Sequence, residues 1–343
     1  MSEAEQPIPK ALILGLAGLE ISGTERRFFE ECDPFGFILF ARNCRTPDQI
    51  RALVADLRSV VGRADAPVLI DQEGGRVARL RPPHWREAPP AAVFGTLSSH
   101  DDGHARHAVR LNARLIGAEL SALGIDVDCA PVLDVPAEDS HDIVGDRAFG
   151  ASPALVARLG RSAIDGFLDA GVLPVIKHIP GHGRAKVDSH LELPVVDAAL
   201  DALRRVDFAP FAALADAPWA MTAHVVYTAL DPDNPATTSK IVVNDIIRGE
   251  IGFDGLLVSD DLSMKALSGS LAERATAALA AGCDVALHCN GEMEEMSAVA
   301  GAAGPLSPVA LERIARARAS LRPSVTVDVS EMQAQLDSLL STA

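Results

Sequence analysis

The chain has 343 residues, with 31 Lys and Arg against 47 Asp and Glu for a formal net charge of −16, and is 48% apolar and 23% charged. That balance excludes disordered, collagen-like and coiled-coil chains, and the acidic excess repels a nucleic-acid phosphate backbone. Aromatic residues make up only 4% of the chain, with 2 Trp, 1 Tyr and 11 Phe, too few to build a long cleft that stacks bases or polysaccharide.

Residues 1–10 are acidic where a secretory signal would be basic, and the apolar run at 11–19 is too short to span a bilayer. The five cysteines, Cys32, Cys44, Cys129, Cys283 and Cys289, are scattered, form no C-x-x-C pair and are odd in number. That usage suits a reducing compartment and argues against a disulfide framework. The expectation is a soluble cytoplasmic protein with no nucleic-acid or membrane partner.

In chain order, short apolar segments recur at 11–15, 36–40, 67–70, 125–130, 172–176, 219–222, 255–258 and 283–287. Most are near-continuously apolar, the pattern of strands buried on both faces of a parallel sheet. Helical patterns lie between them. Leu111, Leu115, Ala118 and Ala122 share a face before Gly124; Ser152-Pro153 opens a helix with Leu155, Leu159 and Phe167 inward, closed by Gly171. Ser307-Pro308 starts another with Val309, Leu311, Ile314 and Leu321, ended by Pro323. A last amphipathic segment, capped by Ser330, turns Met332, Leu336 and Leu339 inward.

Strand–helix alternation repeated eight times over about 250 residues is the arithmetic of a (β/α)₈ TIM-type barrel. A doubly wound open sheet is the rival, since strand count does not prove closure. No linker, internal repeat or low-complexity tract divides the chain. The expected organisation is one catalytic barrel over 1–343, the barrel spanning about 11–322 and a helical tail about 323–343.

Barrel chemistry gathers at the C-terminal ends of strands, and polar groups stand at six such ends here. They are Asp71-Gln72-Glu73-Gly74-Gly75-Arg76 with Arg79; Asp134 and the loop Gly145-Asp146-Arg147; Lys177-His178-Ile179-Pro180-Gly181-His182-Gly183 with Asp188-Ser189-His190; His224; Ser259-Asp260-Asp261; and His288 with Asn290. Taken singly, several have plain structural explanations. The Asp-x-x-Gly-Gly run suits a tight turn, Arg147 a surface charge, and Asp260-Asp261 a helix cap. The 177–190 segment has no helical or strand period to explain its three His, one Asp and two Lys.

Two chemistries compete for that segment. His178, His182, His190 and Asp188 could ligate a metal, but Pro180, Gly181 and Gly183 break the helix that would align His178 with His182. Alternatively, Asp188 fixes the tautomer of His190 two residues on, and His190, with an intrinsic pKa near ~6.5, exchanges protons at neutral pH. Asp260 from another strand then serves as nucleophile, a retaining glycosidase plan with His in place of one carboxylate.

Together, Lys177 to Gly183, Asp188-Ser189-His190, Ser259-Asp260-Asp261-Leu262-Ser263-Met264, Asp71 to Val77 and Met221 to Val225 resemble the β-N-acetylglucosaminidases of glycoside hydrolase family 3, specifically their bacterial cytoplasmic type. The resemblance runs in order from about residue 11 to 290. It implies Asp260 as nucleophile, His190 as acid/base with Asp188 as its partner, and Asp71, Arg79, Arg147, Lys177 and His178 as ligands of a non-reducing N-acetylglucosamine. His224 joins the expected substrate-binding set.

The resemblance also implies no metal; no cofactor is expected, and a monomer is the expected state. The implied substrate is N-acetylglucosamine β-1,4-linked to 1,6-anhydro-N-acetylmuramic acid, with or without peptide, from cell-wall turnover. Larger members carry a second α/β domain, so here the barrel is expected to supply every catalytic residue. Two positions depart from the family pattern. Ile179 replaces the usual Phe, and Arg184-Ala185-Lys186-Val187 lacks the expected acidic and small residues. That tetrapeptide is expected to add positive charge near the leaving group, and Arg79, Arg147 and Lys177 are expected to make the pocket mouth basic. A metal-dependent barrel hydrolase and a non-catalytic muropeptide sensor are the rival functions.

Overall fold

Each of the eight apolar segments forms a strand in the computed structural model, which describes residues 7–137, 144–187, 189, 192–322 and 328–341. They are β1 (Lys10–Leu14), β2 (Pro34–Leu39), β3 (Val68–Ile70), β4 (Val127–Asp128), β5 (Leu173–Ile179), β6 (Trp219–Thr222), β7 (Leu256–Asp261) and β8 (Val285–His288). Every strand pairs in parallel with the next in sequence, and β1 closes on β8 with Leu12 opposite Ala286, so the sheet is a closed barrel and the open-sheet alternative falls. A closed parallel sheet with helices outside it buries both strand faces. Accordingly β2 and β5 are buried at every residue.

Several of the few aromatics are spent on packing. Phe35 and Trp219, near the starts of β2 and β6, stack with ring centroids 6.0 Å apart and plug the end of the barrel away from the polar loops. Phe29 from the first helix meets Phe37 of β2 edge-on at 5.1 Å.

The helices start where the sequence signals them. Ser22 and Ser270 form capping boxes with Glu25 and Glu273, and the helices Pro47–Val60 and Pro308–Ala319 begin on Thr46 and Ser307 caps. Ser152 stands at the cap position of Pro153–Asp169, but its side chain makes no capping bond.

Several face assignments shift. Ala122 is exposed, and the buried face of Asp102–Ser121 includes Ala105, Val109, Ile116 and Leu120. Val309 and Leu311 are exposed while Ala310, Ile314 and Ala317 pack inward, because close helix–barrel contact favours the small side chains. The last helix, Val329–Leu340, is capped by Asp328 rather than Ser330, accepting from the N–H groups of Ser330 and Glu331. Met332 and Leu336 are buried, and the helix packs on Asp102–Ser121. Pro323 lies outside the described residues. Among the described residues no helix is long and apolar enough to cross a membrane.

Candidate active site

The polar loops meet over the C-terminal ends of the strands, around a cavity of about 420 Å³ lined by residues that include Asp71, Glu73, Arg79, Arg147, Lys177, His178 and Asp260. That size is in the range of small-molecule sites.

Asp71 follows β3 directly, and a hairpin brings Arg79 back over it. Gly74 and Gly75 take the left-handed conformations of the turn, with φ of 96° and 55°. The buried Gln72 amide stitches the two arms together, its Oε1 accepting from the N–H groups of Arg79 and Leu80 and its Nε2 donating to Leu80 O. As a result Arg79 Nη2 lies 3.0 Å from Asp71 Oδ2, with its guanidinium 4.8 Å over the Phe40 ring.

Lys177 rises from the end of β5, buried, with Nζ 2.9 Å from Asp71 Oδ1 and 2.7 Å from Glu73 Oε1. Glu73 also takes Arg147 through both oxygens, Nε and Nη2 each at 2.8 Å. Burial alone would raise both carboxyls, but Lys177 with Arg79 holds Asp71 well below the carboxylate range, and Lys177 with Arg147 draws Glu73 down to about 2. Asp128, behind them, has no such partner among the described residues: Gln72 N–H reaches one oxygen, the other takes no hydrogen bond, and burial pushes its carboxyl up to about 8. It is largely uncharged at neutral pH.

These pairings correct the expected basic mouth. Arg76, Arg79, Arg147 and Lys177 face Asp71, Glu73, Asp260 and Asp261 across the same cavity, so the charges balance. Buried cations at this depth need carboxylate partners, and Asp71 and Glu73 supply them.

The stretch after β5 is organised by Asp134, fully buried. Its Oδ1 accepts from the backbone N–H groups of His178 (3.2 Å) and His182 (2.7 Å), and its Oδ2 lies 2.7 Å from His178 Nδ1. Burial opposes the charge, but the two imidazoles and the His182 N–H outweigh it and lower the Asp134 carboxyl to about 2. His178 therefore keeps its proton on Nδ1 and presents its other nitrogen to the cavity. His182 stands beside it, rings 5.5 Å apart, with Nε2 3.2 Å from Ser189 Oγ, and burial next to His178 pushes it down to about 4. Gly183 is required here, since a Cβ would sit 2.0 Å from Val135 O.

Asp260 and Asp261 end β7 with different surroundings. Asp261 is fully used in a turn: Oδ1 accepts from Ser263 N and Cys289 N, Oδ2 from Ser263 Oγ. Asp260 Oδ1 accepts from Asp261 N at 2.8 Å, and among the described residues its Oδ2 takes no hydrogen bond. Burial raises the Asp260 carboxyl, but His224, His178, the Asp261 N–H and Lys177 together hold it below its ordinary value. It stays ionised at neutral pH.

His224 takes a different place from the expected one. It is fully buried with both ring nitrogens engaged, Nε2 at 3.0 Å from Asp261 O and Nδ1 at 2.7 Å from Thr237 Oγ1. A carbonyl only accepts, so Nε2 carries the proton, and burial lowers the imidazole to keep it neutral. Thr237 Oγ1 sits between His224 Nδ1 and Ala223 O and 2.8 Å from Thr222 Oγ1, and Asp260 N–H donates to Thr222. His224 thus braces the strand end beneath Asp260 instead of reaching the cavity.

Asp188 and His190 lie outside the described residues. Arg184 turns away from the cavity to Asp207, against the expectation that it adds charge near a leaving group. Among the described residues no three His, Cys, Asp or Glu side chains gather in metal-binding geometry. Glu73, Asp134 and Phe40 have no assigned role in the sequence analysis, although Asp134 is named there. The first two stood inside noted motifs or strand ends, and only their charge in a buried position could have flagged them.

Residues 16–320 match the N-terminal domain of glycosyl hydrolase family 3. The chain belongs to this family. Among family 3 relatives, the beta-hexosaminidase of Alkalilimnicola ehrlichii is 43% identical over 285 residues, covering 81% of this chain and 80% of that protein. NagZ from Neisseria gonorrhoeae, solved in complex with N-trifluoroacetyl-D-glucosamine, superposes with a TM-score of 0.86 at 30% identity, covering 97% and 98% of the two chains. A family 3 β-N-acetylglucosaminidase from Paenibacillus sp. superposes with a TM-score of 0.84 at 33% identity over 96% of this chain but 66% of its own longer one. The chain is a glycoside hydrolase, and its kinship within family 3 lies with the β-N-acetylhexosaminidases.

Proposed function

We propose that the protein is an exo-acting, retaining β-N-acetylglucosaminidase that removes a non-reducing terminal N-acetylglucosamine β-1,4-linked to (1,6-anhydro)muramyl residues, peptide-bearing or not, in cell-wall recycling. The observation that carries the reading is Asp260: an ionised carboxylate with one oxygen that takes no hydrogen bond among the described residues, facing a cavity of about 420 Å³ ringed by hydrogen-bonding groups. A pocket built from Asp71, Arg79, Arg147, Lys177 and His178 suits the hydroxyls of one terminal sugar rather than a stacked chain.

In this mechanism Asp260 Oδ2 attacks the anomeric carbon while His190, oriented by Asp188, protonates the leaving oxygen. The covalent glycosyl–Asp260 ester is then hydrolysed by a water that His190 deprotonates, so configuration is retained. Residues 1–343 act as one catalytic barrel, monomeric and cytoplasmic, and need no metal or cofactor. The relatives named beta-hexosaminidase and the neighbour bound to an N-acylglucosamine analogue support the sugar. Hydrolysis of a chromogenic N-acetyl-β-glucosaminide, with mass-spectrometric trapping of a 2-fluoro-type glycosyl label on Asp260, tests the reading. No turnover, or a label on Asp261, sinks it.

A further inference from the structure

The tetrapeptide Arg184-Ala185-Lys186-Val187 departs from the family pattern, and its first residue is tied into the protein. Arg184 Nε donates to Asp207 Oδ2 at 2.7 Å. Asp207 is 1% exposed between the helices Leu200–Arg205 and Phe208–Ala213, and among the described residues its other carboxylate oxygen takes no hydrogen bond. A buried carboxylate with one guanidinium partner depends on that partner, because its removal strands the charge.

Asp207 also abuts, through its Cβ and backbone, the stretch that contains Arg184. A Cβ on Gly181 would lie 2.9 Å from Asp207 Cβ. Tyr227 Oη donates to Gly181 O at 2.6 Å, Ala137 N–H to Gly183 O, and Ala185 N–H to His182 O. Residues 181–185 are thereby held from several sides, with the Arg184–Asp207 pair as a side-chain anchor four residues before Asp188 in the sequence.

We propose that Arg184, through its ion pair with Asp207, is a positioning residue for the acid/base end of the site, anchoring the chain that leads to Asp188 and His190 onto the Phe208–Ala213 helix. The pair touches no substrate. The proposal rests on the reading of His190 as the acid/base.

The test is kcat/KM for R184A, R184K and D207N on aryl N-acetyl-β-glucosaminides graded in leaving-group ability, with H190A beside them. kcat/KM reports the glycosylation step, where only a poor leaving group needs protonation. Misplacing the acid should cost R184A on the order of ten- to a hundredfold on the poorest leaving groups. On the most activated one the loss should stay within about threefold, and R184K should recover part of it. Lost stability alone would lower all substrates alike, so equal losses across the series, or none, overturn the proposal. Should R184A fail to fold, D207N, a neutral isostere, supplies the same comparison. A steep dependence in H190A with a flat one in R184A and D207N overturns the positioning role alone. A flat H190A series overturns the acid/base reading and the proposal with it.

Discussion

Replacing Asp134 by Asn keeps the shape and changes one thing, the group facing His178 Nδ1. In the native protein Oδ2 accepts there at 2.7 Å, while Oδ1 accepts from two backbone N–H groups. An Asn can keep Oδ1 in place, but its NH₂ then meets the Nδ1 proton. Either two donors clash or the imidazole moves its proton to the cavity-facing nitrogen.

Two losses follow from the structure. The drop of the Asp134 carboxyl from an ordinary 3.8 to about 2 corresponds to roughly 2–3 kcal/mol of stability at neutral pH, which the amide gives up. A His178 with its proton on the cavity-facing nitrogen also presents a donor where the native ring presents an acceptor to the proposed sugar, leaving that hydrogen bond unmade at a cost of about 1–3 kcal/mol, or roughly five- to a hundredfold in kcat/KM.

The sign with pH is distinctive. A depressed carboxyl contributes stability that is complete above the unfolded-state value and fades as pH falls from 3.8 toward about 2. Urea denaturation of wild type and D134N at several pH values, with kcat/KM on a chromogenic N-acetyl-β-glucosaminide, checks both. The stability gap should be widest near neutrality and narrow in acid. A gap that stays constant with pH, or a kcat/KM within twofold of wild type, would refute the argument.

Other expectations are as direct. D260N should abolish turnover and glycosyl labelling, whereas D261N, which disturbs a turn, should lower stability and leave labelling on Asp260; the adduct's mass-mapped position decides. E73Q weakens the partner shared by Arg147 and Lys177 inside the barrel, so it should cost about 3–5 kcal/mol in denaturant stability and raise KM; an unchanged KM counts against a role at the sugar pocket. Exhaustive chelation should leave the rate unaltered, and a loss restored by added divalent cation would revive the metal-dependent alternative.

The legible and the hidden parts divide along a physical line. The eight strands could be read because continuous apolar runs are a local signal, and their ends pointed to Asp71, Lys177 and Asp260. The face of Pro308–Ala319 was misread because alanines weigh little in a pattern, although close packing selects them. Glu73 and Asp134 stand at noted strand ends without an assigned role, because a carboxylate shows its importance only through what it faces.

The sequence by itself determined where the eight strands lie along the chain, most of the helix starts and the loops that carry the chemistry, since propensity, capping and apolar period act over a few residues. Tertiary structure alone decided closure, with Leu12 against Ala286, and joined Arg147 to Glu73 and Lys177 to Asp71 across 74 and 106 residues of chain. It also sent His224 beneath Asp260 and Arg184 to Asp207, because a buried charge or imidazole takes the partner that the folded chain brings within reach, wherever that partner lies in the sequence.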